Sequence, residues 1–182
     1  MFRAILRPGL DLRLLEERHA DTVFALVHQD RAYLRQWLPW VDSTHTPDDT
    51  LAFIRSSLEK FAAGSAVTAG IWHRDEFAGV VGTHEIMRLT RRVELGYWIG
   101  ESFQRRGLVT DACRAVITHL FEERDLNRVE IHCAVSNSKS AAVARRLGFE
   151  LEGTLRDSTL AAGGLHDAHV FGMLRKDWPA KQ

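Results

Sequence analysis

Gln104, Arg105, Arg106 and Gly107 stand where an apolar run, "ELGYWIG", gives way within a few residues to a helical one, "VTDACRAVITHLF". A helix that starts directly after a strand exposes its first backbone N–H groups, which have no partner inside the helix and carry partial positive charge. Such a turn suits an anion, and phosphate above all. Gly107 lets the backbone approach a ligand closely or adopt a positive φ. Arg105 and Arg106 bring guanidinium donors matched to phosphate oxygens. The plainer alternative is a strand-to-helix turn with solvated arginines. Neither G-x-x-x-x-G-K-[ST] nor G-x-G-x-x-G occurs, which argues against nucleoside triphosphate and dinucleotide sites.

Other residues with chemical potential are scattered. His84 and Glu85 lie near the end of a predicted strand, and a histidine titrates near neutral pH. His166, Asp167 and His169 invite a metal reading, but strand alternation puts neighbours on opposite faces, and no further ligand pattern accompanies them. No metal site is expected. No G-x-S-x-G is present, so a serine-hydrolase arrangement has no support. Trp37, Trp40 and Phe53 could wall an acceptor cleft or simply pack.

These residues need elements to hold them. Leu10, Leu12 and Leu14 alternate as a first strand. "HADTVFALVHQD" and "RAYLRQWLPWVD" read as two short helices, the second stopped near Pro39. In "HTPDDTLAFIRSSLEKFAAG", Thr46 can cap, Pro47 suits the first helical position, Asp48 and Asp49 suit its positive end, and Gly64 closes it. "AVTAGIWH" and "FAGVVGTHEIM" form a hairpin about Arg74-Asp75-Glu76, with "RRVELGYWIG" as the neighbouring strand. A helix buries Val109, Ala112, Cys113, Val116, Ile117, Leu120 and Phe121. Val129, Ile131, Cys133 and Val135 alternate as a strand, and "SKSAAVARRLGF" is a helix closed by Gly148. Two strands, roughly 149–158 and 165–174, flank Ala161-Ala162-Gly163-Gly164. Hairpins mixed with helical crossovers imply a mixed sheet covered by helices.

Composition sets the outer bounds. The chain has 182 residues, 45% hydrophobic, with zero formal net charge. That suits one domain spanning 1–182 and provides no overall field to recruit nucleic acid or an acidic membrane. Cys113 and Cys133 are the only cysteines, too few for a disulfide framework. Arg3, Arg7 and Pro8 interrupt any secretory core, and no run is long and uncharged enough to span a membrane. A cytoplasmic protein is expected.

The segment "ELGYWIGESFQRRGLVTDACRAVI" resembles the acyl-coenzyme A signature of the GNAT acetyltransferase superfamily. In that family Q/R-x-x-G-x-G/A follows the fourth strand, and its backbone amides hold the cofactor pyrophosphate. Gly107 matches the first glycine, while Val109 stands where a smaller residue is usual, a departure that Rim-type relatives often share. Downstream, "NSKSAAVARRLGF" matches a second family element at Asn137, Ser140, Gly148 and Phe149. "AYLRQWLPWVD" and "HDAHVFGMLRKDW" resemble the first helical region and last strand of the Rim-type, ribosomal-protein N-terminal acetyltransferases. The likeness spans nearly the whole chain in order. It implies an α/β (mixed α+β) fold whose central, mostly antiparallel sheet of about seven strands splays between the fourth and fifth.

The resemblance also implies roles. Acetyl-CoA would be bound by Gln104, Arg105, Arg106, Gly107, Leu108, Val109 and Thr110. Backbone groups near Trp98 and Ile99 would pair with the pantetheine arm, and Asn137 would bond that arm or cap its helix. Ser140 is the implied proton donor to the leaving thiolate, or else a serine bonding the helix's first turn; neither Tyr33 nor Tyr97 lies on that helix. Rim-type relatives carry a glutamate where Thr159 stands, with Asp157 the nearest carboxylate. Glu94 matches the place where some other members of the superfamily carry their base, and His84 and Glu85, near the end of the preceding strand, are further candidates. The expected activity is direct acetyl transfer to an amine, most simply a protein N-terminus of ribosomal type. Small amines, such as an amino acid, polyamine or antibiotic, and a non-catalytic acyl-CoA-binding protein are the alternatives. Relatives of this kind are often homodimers.

Overall fold

A computed structural model describes residues 3–161 and 163–179. The chain opens with a hairpin of β1 (Arg3–Arg7) and β2 (Leu10–Leu14), turning at Gly9 with φ 75°. Three helices follow, α1 (Ala20–Gln29), α2 (Arg31–Leu34) and α3 (Pro47–Ala62). Next come β3 (Thr68–His73), β4 (Glu76–Thr83) and β5 (Arg92–Ile99). Helix α4 (Leu108–Glu122), β6 (Arg128–Ala134) and α5 (Ser138–Arg146) lead to a closing hairpin of β7 (Glu150–Ala161) and β8 (Gly164–Leu174).

Local signals explain most of these boundaries. At the start of α3 the Thr46 hydroxyl accepts from the Asp49 N–H, and the Asp49 carboxylate accepts from the Thr46 N–H at 2.9 Å, with Pro47 in the first position. This reciprocal cap satisfies donors the helix itself cannot. Arg74 and Asp75 take positive φ values of 52° and 64°, the left-handed pair that a two-residue hairpin turn requires. Gly64 and Gly148 leave their helices at φ 66° and 84°, as left-handed C-terminal residues do.

All eight strands join one sheet in the order β1-β2-β3-β4-β5-β6-β8-β7. Every neighbouring pair is antiparallel except β5 and β6. Helices α4 and α5 cover one face with a core of Ala112, Cys113, Val116, Ile117, Leu120, Phe121, Ala141 and Ala144 against Leu95, Val129, Ile131 and Phe171. On the opposite face a second core joins Val23 and Leu26 of α1 and Ile54 of α3 to Trp72, Phe77 and Val80. No helix among the described residues is long and apolar enough to cross a membrane.

The structure departs from the sequence-based expectations in several places. Among the described residues the sheet has eight strands where about seven are expected: Arg3–Arg7 is a mostly exposed edge strand with no apolar alternation to reveal it. The predicted fourth and fifth strands are therefore β5 and β6. The second short helix ends at Leu34, and Pro39–Ser43 is a separate 3-10 turn. Strand β4 ends at Thr83, so His84 and Glu85 lie in the connection that follows. Strand β7 runs on to Ala161 by absorbing irregularities between Leu151 and Gly153 and between Leu155 and Thr159. Ala162 of the predicted turn lies outside the described residues.

Gly79 governs the approach of β4 to β5. A Cβ there would lie 2.2 Å from the Trp98 carbonyl oxygen and 2.9 Å from the Ile99 Cα. Both are backbone atoms and cannot swing aside, so a side chain must push β5 off its register. Gly79→Ala is expected to destabilise the fold by ~1–3 kcal/mol, the usual scale for overpacking. A thermal melt checks this, and an unchanged midpoint would show that the strand pair yields without cost.

Candidate active site

Strand β5 has two different edges. Along one it pairs with β4 from Leu95 to Ile99. Along the other it pairs with β6 at Arg92, Val93 and Glu94 only, and then the two strands part. The Glu94 carbonyl accepts from the His84 N–H, and the Gly100 N–H donates to the Ala78 carbonyl. Backbone direction alternates along a strand, so Trp98 turns its amide and carbonyl to β4, while Leu95, Tyr97 and Ile99 turn theirs to the gap. Of the two residues expected to meet a pantetheine arm, Ile99 has its backbone there. Trp98 faces the site with its indole instead, packed on Trp40 and Phe77 at centroid distances of 5.9 Å each.

A cavity of 680 Å³ fills the gap and runs to the start of α4, lined by Leu95–Ile99, Gln104–Thr110, Asn137, Lys139 and Ser140 among others. That is the size range of small-molecule and cofactor sites. Its far end is the predicted anion turn. Arg105 has φ 60° and Gly107 φ 74°, and Gly107 offers α4 no side-chain cap. The first N–H groups of a fifteen-residue helix thus open toward the cavity. A Cβ on Gly107 would meet nothing nearer than Asp111 Oδ2 at 4.0 Å. The glycine is required by φ, and the space before it is open. Val109 packs against the main core, which accounts for a large residue at a motif position that often holds a small one.

The surroundings hold this turn in place. The Arg7 guanidinium bonds Asp111 Oδ2 at 2.8 Å and the Arg106 carbonyl at 3.0 Å, so the unforeseen edge strand β1 clamps the turn. Asp30, buried between α1 and α2, accepts from the Glu101 N–H at 2.7 Å. Arg106 donates to the Ser102 carbonyl at 3.0 Å and lies 5.8 Å from the Phe103 ring centroid. Lys139 donates to Gln104 Oε1 at 2.8 Å, which adds a cation beside the turn. Lys139 adjoins Ser140 in the sequence, but nothing local shows that α5 would start opposite α4.

The Asn137 side chain caps α5, accepting from the Ser140 N–H at 3.1 Å. Its amide NH2 retains two donors, and the residue lines the cavity. The Ser140 hydroxyl lies 3.0 Å from the Tyr97 hydroxyl. Tyr97 is not on the helix, but it reaches Ser140 from β5. Cys133 also lines the cavity; burial pushes its thiol up, while the Ser140 hydroxyl draws it back.

The other face of the gap carries carboxylates and imidazoles. Glu94 lies between His84 Nε2 at 3.7 Å and His132 Nδ1 at 3.4 Å. His132 Nε2 is 3.0 Å from Glu130 Oε2, and Glu130 is held by Arg128 at 2.7 Å and Arg92 at 3.4 Å. The sequence reading missed His132; strand parity with Glu130 would have placed it on this face. A second cavity of 440 Å³ shares His84, Glu94 and His132 with the first and adds Glu85, Glu130 and Leu155. Thr159 lines the main cavity but brings no carboxylate, and Asp157 is not among the lining residues. Trp37 lines the cavity, whereas Phe53 is exposed on α3. His169 Nδ1 lies 3.0 Å from the Thr154 hydroxyl. Among the described residues no group of His, Cys, Asp and Glu is placed to hold a metal ion.

A sheet parted between two parallel strands, with an uncapped helix at the open end, defines an acyl-coenzyme A transferase architecture. Residues 10–150 match the acetyltransferase (GNAT) domain family. The chain is 33% identical over 183 residues to YdaF of Bacillus subtilis (strain 168), named as a ribosomal N-acetyltransferase, with both chains fully covered. It is 30% identical to the ribosomal-protein-serine acetyltransferase of Escherichia coli (strain K12), covering 91% of this chain and 93% of that one. Among solved structures, the ribosomal alpha-N-protein acetyltransferase RimL in complex with coenzyme A superposes with a TM-score of 0.91 at 29% identity. That match covers 95% of this chain and 98% of RimL. The chain belongs to the GNAT family and is an acetyltransferase.

The Glu130 network makes stability depend on acid. Burial raises the Glu130 carboxyl, but the Arg128 hydrogen bond and charge, aided by His132, outweigh it and hold the pKa below its ordinary 4.5. A carboxyl lowered on folding contributes stability that is present above its unfolded pKa and lost as pH falls through the folded value. Chemical denaturation of Glu130→Gln against the parent should show a difference at neutral pH that shrinks below about pH 4.5. A difference constant across that range would detach Glu130 from the effect.

Proposed function

We propose that the chain transfers an acetyl group from acetyl-CoA to a protein N-terminal amine, with ribosomal proteins as the acceptor class, directly within a ternary complex. The observation that carries this reading is the free edge of β5 between Leu95 and Ile99, ending on the uncapped start of α4. An extended ligand can pair with such an edge as an added strand. Amides of residues 104–110, with Arg105, Arg106 and Lys139, suit a diphosphate at one end. Bound there, acetyl-CoA supplies an acetyl group activated as a thioester.

Side chains alternate across a sheet, so proton acceptor and donor fall on opposite faces of the gap. Glu94 and His84, with His132, stand on the face of the second cavity; Ser140 stands on the face of α4 and α5. An ammonium arriving through the second cavity meets Glu85, Glu94 and Glu130, gives a proton to the Glu94–His84 group, and can then attack. The Ile99 N–H is the donor facing the gap for the carbonyl oxygen that gains charge. The leaving thiolate is met by Ser140. An α-amine titrates near about 8, a lysine ε-amine near about 10.4. The first therefore reaches its neutral, nucleophilic form more readily than the second. Groups poised on both faces are machinery that a binding-only protein would not need. The names of YdaF, RimL and the E. coli relative favour a ribosomal acceptor over small amines.

A thiol-release assay with acetyl-CoA tests the reading, comparing ribosomal-protein N-terminal peptides, including ones that begin with serine, against free amino acids, polyamines and aminoglycosides. Peptides should be preferred, and Ser140→Ala should slow release by ~100-fold with acetyl-CoA still bound, the scale of a lost acid–base group. Faster release with any small amine, or tight binding with no release across the panel, would overturn it.

A further inference from the structure

Tyr97 and Ser140 come from different elements, yet the phenol oxygen lies 3.0 Å from Ser140 Oγ and 3.2 Å from the Ser140 carbonyl oxygen. Both residues line the main cavity. Burial pushes the Tyr97 phenol well above the ordinary tyrosine range; Cys113 adds to this, and the Ser140 bond offsets it only in part. The phenol therefore stays protonated throughout the working pH range. A serine hydroxyl also holds its proton more tightly than a thiol, so Ser140 alone is a poor net source of a proton for a thiolate, and Tyr97 cannot refill it. The reaction supplies that proton itself.

Resting on the acetyl-transfer reading above, we infer that Tyr97 is a positioning residue for Ser140. At rest the phenol donates to the Ser140 carbonyl and accepts from Ser140 Oγ; with a sulfur seated beside the serine, the phenol hydrogen, within reach of both oxygens, turns to Oγ and leaves the serine's own hydrogen to the sulfur. In the step itself the amine nitrogen bonds the acetyl carbon and the carbon–sulfur bond breaks with its electron pair on sulfur. The nitrogen, then positively charged, gives one proton to Ser140 Oγ as the Ser140 hydrogen passes to sulfur. Serine ends neutral, tyrosine is unchanged, and the products are amide and free thiol. Nitrogen and sulfur are bonded to one carbon in the tetrahedral intermediate, so a single hydroxyl can reach both.

The full-length chain carrying Tyr97→Phe, Ser140→Ala or both tests this with two readouts. The first needs no acceptor: ultraviolet absorbance of the thiolate titrates the thiol of bound coenzyme A. Tyr97→Phe should weaken that thiol's ionisation severalfold, and Ser140→Ala more so. The second is turnover of the best acceptor peptide, where Tyr97→Phe should lower kcat by about tenfold, the worth of one hydrogen bond, and leave KM for acetyl-CoA unchanged. The double variant should match Ser140→Ala in both. Values for Tyr97→Phe within twofold of the parent, or an equal loss in the Ser140→Ala background, would overturn the inference. A tyrosine-dependent thiol titration with no turnover of any amine would retire the acetyl-transfer reading and keep the hydrogen-bonded pair. Failure to bind coenzyme A would overturn both.

Discussion

The parting of β5 from β6 after a short parallel contact is the constraint on which the rest of the molecule depends. Parted strands leave backbone donors and acceptors without a strand partner, and such groups are costly unless water or a ligand meets them. The gap stays open because each strand is anchored on its outer side. Strand β5 is held by β4 in unbroken register from Leu95 to Ile99, and β6 by β8 along its whole length from Arg128 to Ala134. The side chains of Val93, Leu95, Val129 and Ile131 remain in the core under α4, so closing the gap would require repacking the interior. An edge kept unpaired by the core is available to an extended ligand.

A gap in a sheet opens on two faces, and the alternation of side chains decides what each face holds. Even-numbered residues of β5 and β6 bring Glu94, Glu130 and His132 to one side; odd-numbered residues bring Tyr97 and Cys133 to the side of α5, where Ser140 lies in the first turn. The carboxylates and imidazoles are thereby separated from the Tyr97–Ser140 hydroxyl pair by the thickness of one sheet. No loop needs to move to create that separation.

The turn at Gln104–Gly107 is built from contacts that span the chain. Arg7 reaches Arg106 and Asp111 across about a hundred positions of sequence, and Asp30 reaches the Glu101 amide. Arg31 bonds the carbonyls of Val41 and Thr44, which folds the Pro39–Ser43 turn so that Trp40 meets Trp98. Residues of the N-terminal third therefore line a cavity whose other walls come from β5, the start of α4, β6 and α5. Exposed ion pairs such as Arg7–Asp111 add little stability in isolation; their value is the geometry they impose on the turn.

Much of this was written in local sequence. Helix α3 with its reciprocal cap, the Arg74-Asp75 hairpin, the buried stripe of α4 and the glycines that close α3 and α5 all follow from short-range rules, because caps, turns and periodicity act over a few residues. The junction at Gln104–Gly107 was likewise readable, since an uncapped helix start needs only its neighbours to define it. What the sequence could not show were the meetings of residues far apart along the chain. Tyr97 with Ser140, Glu94 with His132 and Arg7 with Asp111 depend on which strands lie side by side and where they part. That order is a property of the packed sheet, and no pairing rule confined to one element contains it.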